Sequence, residues 1–122
     1  MRRDMSLVRE ILLWAEKQEH GCMQGNPTIT GYSDELIAYH VHLMGQAGLV
    51  VSIDLSVSES DSPGASLNSL SWAGHDFIDA CRDNSIWAKA KDTVLKPATG
   101  MAFDVLLEWL KAEARKRLGL MQ

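Results

Sequence analysis

Apolar positions recur at helical spacing near the start of the chain. Leu7, Val8, Ile11, Leu12 and Ala15 share one face, with Trp14 at its edge. Asp4 precedes the run and is a residue type that caps helix N-termini by accepting from free backbone N–H groups. The pattern predicts a first helix that ends near Gln18 to Gly21. Gly21 to Gly31 is rich in Gly, Asn and Pro and predicts a loop, with at most a short strand at Thr28-Ile29-Thr30. Ser33 then caps a second helix, with Asp34 and Glu35 in the first turn, where the helix dipole favours negative charge. Its inner face comprises Leu36, Ile37, His40, Val41, Leu43, Met44 and Ala47. Asp34, Glu35, Ala38, Tyr39, His42 and Gln46 face outward, and Gly48 stops the helix as its C′ glycine.

Leu49 to Leu55 has the β-branched composition of a strand. Val57 to Ser66 holds four serines with Glu59, Asp61, Pro63 and Gly64 and predicts a hairpin tip, from which Leu67 to Leu70 returns as the partner strand. Ser71 caps a third helix carrying Trp72, Phe77, Ile78 and Cys81. Asp83-Asn84-Ser85 breaks it, and a short fourth helix carries Ile86, Trp87, Ala90 and Val94 as far as Lys96-Pro97. Thr99 caps the last helix, with Met101, Val105, Leu106, Trp109 and Leu110 on its apolar side. Helix, helix, hairpin, helix is the order of a winged-helix domain. The predicted fold class is therefore α+β and mostly helical: a winged-helix-like core with a two- or three-stranded wing and extra C-terminal helices. Because a hairpin is marginal alone, the 122 residues read as one domain, with a core at 1–82 and a helical extension at 83–122.

Charge changes this picture more than composition does. The formal net charge is −4, from 16 acidic and 12 basic residues. Between Gln18 and Cys81 there is no Lys or Arg, and this span alone carries −8 while the flanks sum to +4. A winged helix that grips DNA needs cations on its recognition helix and wing to neutralise phosphates. Here Tyr39 and His42 of the outward helix face can make hydrogen bonds but are not phosphate clamps, and the wing tip carries Glu59 and Asp61. The available cations are Arg2 and Arg3 at the N-terminus and Lys111, Arg115, Lys116 and Arg117 near the C-terminus.

Candidate chemistry is sparse. His40 and His42 lie two apart and so point to different faces of a helix, whereas paired helical ligands sit three or four apart. His20, Cys22 and Cys81 could join a metal site only if the fold gathered them. Gly74-His75-Asp76 opens a helix without a nucleophile elbow, and phosphate-cradling glycine motifs are absent. The sequence thus predicts no catalytic residue, no metal and no cofactor. Cys22 and Cys81 read as free thiols, at least one of them buried. No apolar run approaches a membrane span or a signal peptide's core, which predicts an intracellular, cytoplasmic protein.

Two junctions carry a resemblance. Ala38 to Val50, ending in Ala47-Gly48-Leu49-Val50, resembles the recognition-helix-to-wing junction of winged-helix regulators, and Leu70-Ser71-Trp72-Ala73-Gly74-His75-Asp76-Phe77 resembles the strand-to-helix turn after the wing. The chain as a whole is similar to a family of short phage and prophage proteins termed domain of unknown function 2513. The likeness runs through Arg3-Asp4-Met5, Leu7-Val8-Arg9, Ile11-Leu12-Leu13, Gly31-Tyr32-Ser33, Ala38-Tyr39-His40, Ala47-Gly48-Leu49 and Leu70-Ser71-Trp72. It implies a phage-related origin, in an infected or lysogenic bacterial cell, but no mechanism. One departure from helix-turn-helix proteins stands out: Gly21 to Gly31 occupies the place of the supporting helix. The favoured expectation is a non-enzymatic interaction protein that binds another protein, even a host factor, through Asp34, Glu35, Tyr39, His42, Glu59 and Asp61. The second is a DNA-binding regulator using Arg2, Arg3, Lys111, Arg115, Lys116 and Arg117. The terminal helix is expected to pair two copies as a homodimer.

Overall fold

The computed structural model describes residues 1–95 and 102–119. The elements run α1 (Met5–Glu16), α2 (Asp34–Gln46), β1 (Val50–Asp54), β2 (Ala65–Leu70), α3 (Trp72–Cys81), α4 (Asn84–Asp92) and α5 (Phe103–Arg117). The chain is α+β and mostly helical, with one antiparallel sheet. It divides into two compact units, Met1–Asp76 and Phe77–Gln122, and the division falls within α3.

In the first unit, α1 starts where the Asp4 carboxylate accepts from the N–H groups of Ser6 and Leu7. Leu7, Val8, Ile11, Leu12 and Ala15 are all buried, as their spacing predicts. Ser33 caps α2 by accepting from Leu36 N–H at 3.1 Å. The buried stripe of α2 is Ile37, His40, Val41 and Met44. It is narrower than predicted: Leu36 and Leu43 are half-buried and Ala47 is exposed. At the helix end Gly48 adopts φ +77°, its N–H donates to the Gly45 carbonyl, and Leu49 N–H donates to the Met44 carbonyl. These two reversed bonds make a Schellman turn, which aims the chain directly into β1.

Of the two sheet sizes the sequence allows, the two-stranded one is present, because Thr28-Ile29-Thr30 forms no strand. Nor does any helix lie between Glu16 and Asp34 among the described residues. This loop does the work of an edge strand by other means. Met23 N–H donates to the Asn68 carbonyl at 2.7 Å. The Asn26 amide donates to the Ala65 carbonyl and accepts from Leu67 N–H, both at 2.8 Å. One side chain therefore supplies the donor and acceptor that β2 would otherwise leave unpaired.

The hairpin pairs Val50 with Leu70 and Val51 with Ser69, then Ser52 with Leu67, so Asn68 is an extra residue at a β-bulge. It lies along α2. Ser52 packs on Gly45, where a Cβ would meet the serine hydroxyl, and Gly64 sits over the Ala38 methyl. Ala38, predicted to face solvent, is therefore half-covered by the returning chain.

In the second unit, Phe77, Ile78 and Cys81 of α3, Ile86, Trp87 and Ala90 of α4, and Leu106 and Leu110 of α5 are buried. The rings of Phe77 and Phe103 stand 5.1 Å apart. Asp83 caps α4 through the N–H groups of Ser85 and Ile86. That helix ends at Asp92, earlier than predicted, where the Thr93 hydroxyl donates back to the Lys89 carbonyl at 2.7 Å. Val94 lies beyond it, half-buried, and Lys96-Pro97, Thr99 and Met101 lie outside the described residues. α5 starts at Phe103 behind Ala102, which gives no side-chain cap.

The apolar side of α5 also needs correction: Val105 is 51% exposed, and Glu113 takes a buried position in its place. Glu113 accepts from Lys89 Nζ at 3.1 and 3.2 Å, tying α5 to α4. Trp87 is buried and Trp14 and Trp109 are half-buried, but Trp72 is 85% exposed rather than in the core. The reason is phase. Gly74, Phe77, Ile78 and Cys81 form the buried stripe of α3, and Trp72 falls off it at helical periodicity.

Candidate protein-interaction surface

The predicted interaction residues gather on one side of the first unit because the hairpin folds back along α2. Asp34 and Glu35 are exposed in the first turn of α2. The hairpin tip reaches them: Ser62 Oγ donates to Glu35 Oε2 at 3.2 Å. Glu59 and Asp61 lie just before that serine in sequence and are exposed. One turn further along, Tyr39 and His42 are half-buried, with their rings 6.5 Å apart and inclined by 23°.

Asp54, at the end of β1, joins this set without having been predicted. Its carboxyl is held below the usual range by the backbone N–H of Ser56, then by the Ser56 side chain, with a smaller pull from His42. The sum is a carboxylate-rich face with one imidazole and one phenol, and its own span of sequence holds no Lys or Arg. Such a face can accept hydrogen bonds and ion pairs from a cationic partner.

His40 has a different role from His42. It is fully buried; its Nε2 accepts from Asp4 N–H at 2.8 Å and its Nδ1 donates to the Leu36 carbonyl at 3.0 Å. A carbonyl only accepts, so these partners fix a neutral imidazole protonated on Nδ1. Asp4 is a junction in turn: Tyr32 Oη donates to its Oδ2 at 3.4 Å. The Tyr32 hydroxyl is pushed above the ordinary 10.0 by burial and then by the Asp4 charge. These are structural bonds that join α1 to α2.

The cations proposed for nucleic acid are divided between the units. Arg2 and Arg3 are exposed in the first. In the second, Lys116 lies 3.6 Å from Glu113, which it shares with Lys89, and Arg117 lies 3.7 Å from Asp83, so each has an acidic neighbour. Lys111 is half-buried and Arg115 exposed on the same helix. Leu106 and Leu110, the strongest part of the predicted pairing stripe, are already buried within a single copy, and Val105 and Leu118 remain exposed.

A groove of about 220 Å³ on the first unit is lined by His20, His75, Glu16, Glu19, Met23 and Leu70 among others. Among the described residues no three His, Cys, Asp or Glu side chains are placed to hold a metal ion. Cys22 is exposed and Cys81 buried. No helix among the described residues is long and apolar enough to cross a membrane.

The sequence reading missed a second feature of the hairpin. Val51, Ile53, Leu55 and Val57 are all more than half exposed. Their strict alternation was visible in the sequence, but period two shows that residues share a face without showing which face is covered.

Residues 2–101 match a family model described as Hypothetical protein (DUF2513). An uncharacterized protein of Haemophilus influenzae is 33% identical over 107 residues, covering 87% of this chain and 89% of that protein. No solved structure matches the chain.

Proposed function

This protein belongs to the DUF2513 family, and on that premise we propose that it is a non-enzymatic interaction protein, winged-helix-like and of phage or prophage origin, acting in the bacterial cytoplasm. It binds a basic protein, such as a host factor, through the acidic face of its first unit. The observation that carries this reading is the Ser62–Glu35 hydrogen bond, which brings the acidic hairpin tip to the acidic first turn of α2. Residues separated by more than twenty positions thereby make one anionic surface. Complementary charge mainly sets the choice of partner and the encounter rate, while the affinity comes from apolar contacts beside it. The winged-helix component is supported by the helix, helix, hairpin, helix order and by the two junctions that resemble such regulators. A phage origin is supported by the sequence resemblance alone.

The test is capture from bacterial lysate on the immobilised chain, with a variant carrying Asp34→Asn, Glu35→Gln, Glu59→Gln and Asp61→Asn. A basic protein should be retained by the wild type, released by moderate salt and absent from the variant. Background proteins alone, at low salt, would refute the reading. Binding to mixed-sequence duplex DNA should be undetectable at low salt. A steep loss of DNA affinity with salt would instead support a regulator using Arg2, Arg3 and the α5 cations.

A further inference from the structure

The hairpin is built with its apolar side outward. On β1, Val50 is buried and Ser52 rests on Gly45 of α2, while Val51, Ile53 and Leu55 point the other way and are 52%, 57% and 57% exposed. Val57 continues the alternation at 67% exposure. Opposite them on β2 stand Ser69 and Ser66, which cover little. A one-residue slip of β1 would turn this apolar set toward α2 in place of Val50 and Ser52. The slip is prevented at the base of the hairpin. There the Schellman turn fixes Leu49, Ser71 N–H donates to the Leu49 carbonyl at 3.2 Å, and the Ser71 hydroxyl donates to the Gly48 carbonyl. The outward stripe is therefore specified by the fold, and contiguous exposed apolar surface of this kind marks a contact site.

We infer that the outward face of the hairpin, Val51, Ile53, Leu55 and Val57, is the docking strip for a basic amphipathic helix of the partner protein. This rests on the protein-binding function proposed above and gives the partner's contacting element. From Val51 to Leu55 the stripe spans about 13 Å at ~3.3 Å per residue, and Val57 extends it to the turn at the tip. A helix of about nine residues, at ~1.5 Å each, covers the extended part. A helix laid across the face covers the stripe, whereas a strand added at the edge of β1 would leave the same side chains facing water.

Charge selects the partner. The hairpin also carries Asp54, Glu59 and Asp61, and no Lys or Arg occurs between Gln18 and Cys81. A second copy of this chain would bring those carboxylates against their own counterparts. Lys and Arg flanking an apolar helix face would meet them instead.

Titration calorimetry of the full chain tests this with a 14-residue Leu/Lys amphipathic peptide and a Gln/Lys peptide of equal charge. The Leu/Lys peptide should bind with one-to-one stoichiometry and about tenfold more tightly, the factor that ~1.4 kcal/mol represents. Ile53→Lys and Leu55→Lys should each remove that preference. Both sites are exposed, so melting curves should be unchanged, and agreement of two separate variants guards against a local folding defect. The double change Asp34→Asn, Glu35→Gln should leave the preference intact. Equal binding of the two peptides would overturn the inference, as would Leu/Lys binding that survives both lysine variants. A wild-type dimer in light scattering that Ile53→Lys converts to monomer would overturn it in favour of a second copy. Leu/Lys binding lost on neutralising Asp34 and Glu35, but not in the lysine variants, would sink the strip and leave the acidic-surface function standing. No binding of either peptide at low salt would sink both.

Discussion

Replacing His40 tests how α1 is held to α2. The imidazole is fully buried, and it is the acceptor for Asp4 N–H at 2.8 Å, just before the first turn of α1. In His40→Ala two losses combine. The Asp4 N–H is left without its partner, which costs about 1–3 kcal/mol for a buried donor. Removal of the ring leaves a cavity and forfeits its packing, roughly another 1–2 kcal/mol at a site that collapses in part. The expected total is about 3 kcal/mol. The Leu36 carbonyl adds little, because it keeps its helical partner. Two further variants separate the terms. A Gln side chain places its amide oxygen near the position of Nε2 and can still accept from Asp4, so His40→Gln should recover about 1 kcal/mol or more. An Asn side chain ends near Nδ1, falls short of Asp4, and should recover less. The unit from Met1 to Asp76 is in the size range where 1 kcal/mol moves the melting temperature by about 4–8 °C. His40→Ala should therefore melt roughly 12–24 °C lower, read from amide NMR signals of residues 1–76 so that the second unit does not blur the transition. Equal melting of the Gln and Asn variants would refute the hydrogen-bond argument. A shift of only a few degrees in His40→Ala would refute the burial argument too.

Other substitutions probe the remaining joints. Asn26→Ala removes both bonds to the edge of β2 and should cost about 2 kcal/mol, since Leu67 N–H and the Ala65 carbonyl lose their partners together; Asn26→Asp should be no better, because a carboxylate would face the Ala65 carbonyl, and chemical denaturation that ranks it near wild type would contradict this. Gly74→Ala drives a methyl into the backbone carbonyl of Leu49 at the start of α3, so urea unfolding should show a loss of about 2 kcal/mol or more. By contrast, Gly45→Ala meets only the movable Ser52 hydroxyl and should be milder in the same assay. The Glu113 carboxyl is held below its ordinary 4.5 by the Lys89 hydrogen bond, with Lys89 and Lys116 charges adding to it against the opposing effect of desolvation. A depressed carboxyl stabilises the fold above the unfolded value and stops doing so as pH falls through the folded one. Melting of the second unit should thus drop as pH goes below about 4.5, and Glu113→Gln should flatten that dependence; an unchanged slope in the variant would exclude Glu113 as its source.

Much of the local structure was legible in the residues themselves. Asp4, Ser33 and Ser71 bind the N–H groups that follow them, and Gly48 takes the positive φ that its place after α2 demanded. The buried stripe of α1 followed from spacing alone, and the −8 span from counting. These features depend on a few neighbouring residues or on composition, so no knowledge of distant contacts is needed. The end of α4 and the start of α5 were less legible, because Thr93 competes for a helix carbonyl and Ala102 supplies no cap.

Only the tertiary structure decided what each face meets. The same alternation in β1 fits a hairpin with Val51 and Ile53 inward or outward, and the fixed turn at Gly48 together with the fit of Ser52 on Gly45 chose outward. Asn26 looked like a loop residue until β2 was beside it, and Glu113 interrupted an apolar helix face until Lys89 was opposite. Ser62 and Glu35, 27 positions apart, became one surface only when the hairpin lay down along α2. Sequence periodicity specifies which side chains share a side; the partner that covers that side comes from elsewhere in the chain, and its position exists only in the folded molecule.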